Sequence, residues 1–517
     1  MAQSKPVVTA NILSARQNQG VDERSILVIG QLINGTASSG ELIEDLISET
    51  QFNNAFGRKS HIAKAGRGLI NKLSISRIKP KVDAIGLADN GTAVDATGSV
   101  AFSGTATEAG TITVYIDSIK NGKYELAVAS GDTADSIGAS LEAKITANLD
   151  SPVSGSNTTG TVTITALNGG TEGNDIDIKY NGVVAGITTT LSAMSGGATN
   201  PVLTTLFDVV ADKRYTTIVY PASYGTATLT DFLEPRFNVD DNILDGAGIV
   251  SKKDTYANLN TTLDALNLKT LIYRPNKLNS DSDYKGGGIF ESSIVIASRL
   301  AGARELRLTT GSNTSSIVTN GQATGGSFFS SIPYANTPDI GLPVIPTGKD
   351  FTNAESLELK NSGGFLARNN PSNTVLIDGE AVTTYKTDIL GNSDNTFKFL
   401  NFVDTLSITR EYIFNNAKSD FAQRVLTTGN IQSGSAQVNA QLIITTFMGY
   451  YANLSGSNGN TNYLTLINSE EARKSYKEEI ENSIKINLST GTVTIDQIAN
   501  IVSQLRNIII NITPTFE

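Results

Sequence analysis

The chain has no cysteine, no tryptophan, a single histidine and only three methionines in 517 residues. Without cysteine there are no disulfides, no thiol nucleophiles and no thiolate metal sites, a composition that suits either a cytosolic or an extracellular working life. A Ser-His-Asp triad would have to use His61, in the segment Lys59-Ser-His-Ile-Ala63, and no Gly-x-Ser-x-Gly elbow accompanies it. His61 therefore reads as an ordinary packing or surface residue. No apolar run reaches the roughly 18 residues of a membrane span, and Met1 to Ala10 lacks the basic-then-apolar layout of a signal peptide.

Positive charge is also short. A formal net charge of −10 argues against a nucleic-acid partner. Gly-rich Lys285-Gly-Gly-Gly288 precedes a predicted helix, but neither phosphate-loop spacing is present, so it reads as a loop. Adjacent Asp240 and Asp241 read as solvated acids. The residues call for no catalytic group, cofactor, metal or direct membrane insertion.

What the chain does have is length and β-forming residues. Hydrophobic content of 39% and charged content of 17% suit a folded, polar-surfaced protein, and 47 glycines against 13 prolines imply many turns. The length allows about three domains at roughly 150 residues each. The run Ser25 to Ile33 predicts a strand buried on both faces, and Glu49–Phe56 and Ser60–Leu73 predict helices. Ser74–Ile78 reads as the next strand.

From Ala84 to Ala198 the composition turns to Gly, Ala, Ser, Thr and Asp. Short strands are expected at Ser99–Ser103, Thr111–Ile116, Glu125–Ala129, Gly160–Ala166 and Asp175–Tyr180. Among them lies one helix capped near Asp132 and Thr133, with Ile137, Leu141 and Ile145 on one face.

Helix and strand then alternate from Leu203–Ala211 through Thr216–Tyr220, Leu229–Phe237, Gly248–Ser251, Thr255–Leu266 and Thr270–Tyr273 to Phe290–Ala303. That alternation predicts an α/β sheet with crossover helices. Strands Thr374–Ile377 and Ala381–Lys386 and helices Leu400–Leu426, Gln437–Leu454 and Glu470–Ile484 follow. The expected fold class is α/β and α+β multidomain. An α/β domain (24–83 and 199–360) carries a β-rich peripheral insertion (84–198). An α+β C-terminal domain (361–504) follows, with arms at 1–23 and 505–517.

The arms are informative. Ile508, Ile510 and Ile512 fall on one face of a terminal strand, and Val8, Ala10 and Ile12 show the same period near the start. Between Ser483 and Ile495, Ile484, Ile486 and Leu488 alternate with polar residues, Thr490-Gly491 turns, and Val493 and Ile495 alternate again. This is a hairpin with open edges. An apolar strand at a free chain end can fill such an edge in its own subunit or a neighbour's, and repeated addition makes polymers.

Several stretches carry a resemblance when taken in order. They are Arg24-Ser-Ile-Leu-Val-Ile-Gly-Gln31, Phe56-Gly-Arg-Lys-Ser60, Gly170-Thr-Glu-Gly-Asn-Asp-Ile-Asp177 and Gly196-Gly-Ala-Thr199. Arg214-Tyr-Thr-Thr-Ile-Val-Tyr-Pro221, Thr384-Tyr-Lys-Thr387 and Asn401 to Leu406 complete the set. Together the sequence resembles the contractile tail sheath proteins of myophages, particularly the Mu-like type. It departs from them before Gln437, which lacks the family's frequent Thr-Pro-Lys, and in the 311–346 and 455–462 segments.

The resemblance implies a non-enzymatic virion subunit, assembled in the host bacterial cytoplasm into stacked homo-oligomeric rings. Its partners would be an inner tail tube protein and baseplate and tail terminator proteins. The sheath would shorten to drive the tube through the host envelope for genome delivery. The arms would donate strands to the 484–495 hairpin of neighbouring subunits. Alternatives are a β-rich virion or cell-surface adhesin, a tail enzyme such as a wall hydrolase, and the sheath of a bacterial contractile injection device.

Overall fold

The computed structural model describes residues 24–74, 80–118, 121–239, 242–278, 291–310, 351–369, 375–378, 381–432, 435–455, 470–490 and 492–495. The first strand, β1 (Ser25–Gln31), is buried at every position, as its apolar run predicts. After the short β2 (Leu42–Ile43) come α1 (Glu49–Phe56), α2 (His61–Leu73) and β3 (Lys81–Leu87). Ser48 and Gln51 close a capping box on α1, and Ser60 caps α2 through the Ala63 amide. Gly57 ends α1 at φ 82°, where a Cβ would meet the Ile33 carbonyl oxygen at 1.5 Å, so only glycine fits. The predicted strand at Ser74–Ile78 is corrected at its first residue, since Ser74 caps α2; residues 75–79 lie outside the described residues. Ala84 to Leu87, expected to open the insertion, instead complete β3 beside β1.

Residues 97–195 contribute β4 (Thr97–Gly104), β5 (Gly110–Ile116), β6 (Lys123–Val128), α3 (Ala134–Ala147), β7 (Val153–Thr158), β8 (Thr161–Ala166), β9 (Ile178–Asn181) and β10 (Ile187–Ser195). They make two antiparallel sheets, ordered β10-β4-β8-β7 and β6-β5-β9. Thr133 caps α3, and Ile137, Leu141 and Ile145 are buried along one face, as the four-residue spacing predicts. Strands β7 and β10 escaped the sequence reading because their Ser- and Thr-rich runs carry little apolar alternation. Expected strand Asp175–Tyr180 starts later, at Ile178, because residues 171–175 form a 3-10 turn.

The chain returns through β11 (Thr217–Val219), α4 (Ala227–Leu233), β12 (Ala247–Asp254), α5 (Tyr256–Asp264), β13 (Leu271–Lys277), α6 (Ser293–Thr310) and α7 (Asn353–Asn361). Six strands form one sheet in the order β13-β12-β11-β1-β3-β2, with only β2 antiparallel. Helices α1, α2 and α6 cover one face around Phe52, Ile62, Leu69 and Ile296. Helices α4, α5 and α7 cover the other around Leu229, Leu263 and Leu359. The fold is mixed α/β. The expected helix at Leu203–Ala211 is only turns and a short 3-10 segment, Asp208–Val210. Its apolar residues Leu206, Phe207 and Val210 are buried as loop anchors, and Phe207 stacks on Phe232 at 4.2 Å between centroids.

The last part holds β14 (Ala367–Asn369) paired with β15 (Val375–Ile377), α8 (Leu400–Phe421), β16 (Val425–Leu426), β17 (Gln437–Val438), α9 (Ala440–Ser455), α10 (Glu470–Ser483), β18 (Lys485–Asn487) and β19 (Thr492–Thr494). Ala381–Lys386 makes no strand, only a bridge from Val382 to Phe399. There the Thr383 and Thr384 hydroxyls donate to the Phe397 and Leu268 carbonyls, a local pairing that competes with a ladder. The α8 helix stops at Phe421, before the expected Leu426, because Val425 and Leu426 pair with Gln437 and Val438. Helices α8, α9 and α10 share a core rich in aromatics, including Tyr451 stacked on Tyr476 at 4.2 Å.

Candidate assembly site

The β18–β19 hairpin is antiparallel, with Lys485 opposite Thr494, Ile486 opposite Val493 and Asn487 opposite Thr492. Lys485, Asn487, Thr492 and Thr494 face solvent, while Ile484, Ile486, Val493 and Ile495 are half-buried. Ile484, Val493 and Ile495 rest on the α8–α9–α10 core, and Leu488 points out, 54% exposed. The i,i+4 pair Lys477–Glu481 supports the preceding helix at 3.5 Å. Among the described residues no further strand pairs with β18 or β19. The proposed donors Val8, Ala10, Ile12, Ile508, Ile510 and Ile512 lie outside the described residues, as do Asp240, Asp241 and Lys285–Gly288.

A second polar constellation escaped the sequence reading. It lies where residues 88–198 meet the six-stranded sheet, at the carboxyl ends of the parallel strands. Arg58 reaches Asp150 at 2.8 Å and Lys64 reaches Asp117 at 2.9 Å, while Arg67 stands 3.6 Å from Asp150. Lys252 holds Asp175 at 2.8 Å, and Lys253 pairs with Asp177. His61 Nε2 stands 3.1 Å from Glu172, close enough for an ion pair but not aligned for a hydrogen bond. The histidine is thus buried and packed.

Asn168 accepts from the His61 amide at 3.0 Å and donates to the Leu32 carbonyl at 3.1 Å. Ser223, just beyond β11, donates to Glu172. Burial works to raise the Glu172 pKa, but His61, Ser223 and Lys252 outweigh it and hold it below the ordinary range. Burial, with Glu172 adding repulsion, raises Asp175. Two cavities of about 40 and 30 Å³ lie along this seam, room for a few waters at most. The overlooked signal was the acid density of Glu172, Asp175 and Asp177 against Lys252-Lys253.

Neither region brings together a nucleophile, base and oxyanion donors, and among the described residues no group of three or more His, Asp or Glu is placed to hold a metal ion. What the hairpin offers is backbone pairing and apolar packing on the α8–α9–α10 core.

No family model matches the chain. Over 250 residues it is 29% identical to the Mu-like prophage FluMu tail sheath protein of Haemophilus influenzae, a stretch that takes in 47% of this chain and 50% of that protein. The chain spans about half the length of the curated relative it matches. Among solved structures, the sheath tail protein of Desulfitobacterium hafniense aligns with a TM-score of 0.42 and 12% identity, over 87% of this chain and 89% of that one. Over the 250-residue stretch the chain is similar to a Mu-like phage tail sheath protein, the type its ordered motifs resemble.

Proposed function

We propose that this chain is the structural subunit of a contractile phage tail sheath, polymerising as stacked rings around an inner tube and contracting to drive the tube through the host envelope. The observation that carries this reading is the 250-residue match to a Mu-like tail sheath protein. The β18–β19 hairpin, which pairs with no third strand among the described residues, would supply a means of linking copies. The role is structural, not enzymatic, and the place of the protein is the virion tail, with tube, baseplate and terminator proteins as partners.

The domain plan follows the same reading. An α/β body is interrupted by an insertion running from about residue 88 to 198, and an α+β domain carries the hairpin that accepts neighbouring arms. A donated strand would gain about four backbone hydrogen bonds at roughly 0.5–1.5 kcal/mol each. Burying three isoleucines adds about 1.5–3 kcal/mol apiece, against roughly 1–2 kcal/mol per residue ordered over eight or nine residues. One arm is then nearly balanced, and cohesion comes from several linked contacts per subunit.

Sedimentation of recombinant protein followed by negative-stain imaging tests the proposal. Pelleting material that shows hollow cylinders is expected. A protein that stays monomeric, at concentrations where it is folded, would refute it and favour the adhesin alternative.

A further inference from the structure

The strand order of the six-stranded sheet reverses at β1, which runs on to β3 on one side and is flanked by β11 and β12 on the other. In open α/β sheets the crevice at the carboxyl ends of strands beside such a reversal is where ligands sit, and a helix amino terminus there favours an anion. In this chain the position is filled from within. Gln31, the last residue of β1, donates to Asp89 at 2.6 Å, and Tyr224, beyond β11, donates to Gln31 at 3.2 Å. Asn168 and Glu172 lie against the first residue of α2, His61.

Two further observations bear on how this occupant is held. In each pair described above, the cation stands on the sheet body and the anion on the inserted segment: Arg58 and Arg67 with Asp150, Lys64 with Asp117, Lys252 with Asp175, Lys253 with Asp177. The apolar cores do not merge. The insertion's core runs from Ala96 to Met194 and shares no residue with the two cores that flank the large sheet. Charges of one sign facing charges of the other, without a common apolar core, are the anatomy of two bodies in contact.

We propose that residues 88–198 form a latched plug: their acidic edge is a built-in occupant of the strand-end crevice, and the insertion leaves that seat as an intact folded body when the ion pairs are removed. The two connections, near residues 88–93 and 196–201, act as its hinge. This holds whether or not the chain builds a sheath, because it concerns the fold of one copy.

The absence of cysteine makes the test clean. Spin labels at Ala139→Cys and Thr262→Cys, both exposed, report the distance between insertion and body in the full chain. The unmodified seam should give one narrow distance. The pair Lys252→Glu and Lys253→Glu should broaden and lengthen it, and adding Asp175→Lys and Asp177→Lys should restore it.

The half-exposed Arg58 provides a milder version, Arg58→Glu rescued by Asp150→Arg. Amide hydrogen exchange on the same samples should show β4 and β8 as protected as in the parent. An unchanged distance in both charge-reversed chains overturns the proposal. So does loss of protection in β4, β8, β1 and β3 together, since that would make insertion and body one cooperative unit.

Discussion

The Arg24 guanidinium lies 2.8 Å from the Glu305 carboxylate, and both side chains are almost fully shielded from water. The pair fixes the start of β1, directly after residues 1–23, to α6. Glu305 also accepts from Thr217 of β11 and stands 3.0 Å from Arg304, which pairs in turn with Asp404 of α8. Arg214 adds a link to Glu411 at 2.7 Å, and Arg410 one to Asp245 at 3.1 Å. Sheet body and α8 are therefore joined by a buried ionic cluster at the end of the sheet opposite the insertion.

Breaking one member of such a cluster strands its partners. Glu305→Gln takes the carboxylate away from buried Arg24 and leaves Arg304 to Asp404, and removal of one partner of a buried pair costs about 3–5 kcal/mol. A clearly lowered midpoint in urea unfolding is expected. A shift of less than about 1 kcal/mol would show the cluster to be solvated in solution.

The same cluster sets an acid limit. Burial acts to raise the Glu305 pKa, but Arg24, Arg304 and Thr217 outweigh it and hold it below the ordinary glutamate range. A depressed carboxylate contributes stability that is complete above its unfolded value and lost as pH falls through its folded value. Stability should decline below about pH 4.5, and Glu305→Gln should flatten that decline. Denaturant midpoints measured from pH 7 to pH 3 in both proteins check it.

Much of this fold was legible because periodicity and burial agree. The apolar run of β1 and the capped, four-spaced helix α3 are examples where local preference and packing point the same way. The sequence failed where apolar residues serve a loop, as at Leu206, Phe207 and Val210, or where side-chain hydroxyls compete with a ladder, as at Thr383 and Thr384. The β18–β19 hairpin was readable from alternation and its Thr-Gly turn. The ionic seam was not, since its partners lie far apart in the chain, as in Arg58–Asp150, His61–Glu172 and Lys64–Asp117, and only tertiary structure brings them together.

The insertion's own core gives a third prediction. Leu141 is fully buried between α3 and the two antiparallel sheets. Leu141→Ala should destabilise by about 2–5 kcal/mol, with loss of amide protection confined to residues 97–195. Protection in β1 and β3 should stay at the parent level. Uniform loss across both regions would contradict separate cores.

Deletion of the insertion probes its placement in the assembly. Replacing residues 88–198 by a short Gly-Ser bridge should leave a soluble body that still forms cylinders, if the insertion sits outside the contractile core. The deletion would uncover Lys64, Lys252 and Lys253, a basic cluster without its acidic partners, so Lys252→Gln and Lys253→Gln belong in the same variant to limit non-specific association. Soluble protein that never polymerises would place the insertion within the lattice.

The last prediction concerns the chain ends. Ile510 is proposed to pack on the hairpin edge of a neighbouring subunit, with Ile508 and Ile512 beside it and Val8, Ala10 and Ile12 making the matching donation from the other arm. Ile510→Asp would bury a carboxylate without a partner, a placement that costs several kcal/mol. The sheet body, the insertion and the helical core of Tyr451 and Tyr476 each have an apolar core of their own among the described residues. Circular dichroism should therefore be unchanged while sedimentation shows the polymer gone. Normal cylinders from Ile510→Asp would exclude the strand as an inter-subunit link, and an unfolded subunit would assign it to its own core. Restoration of cylinders by Ile510→Val, which keeps the β-branched shape, would separate a packing role from a mere tolerance of apolar residues at the terminus.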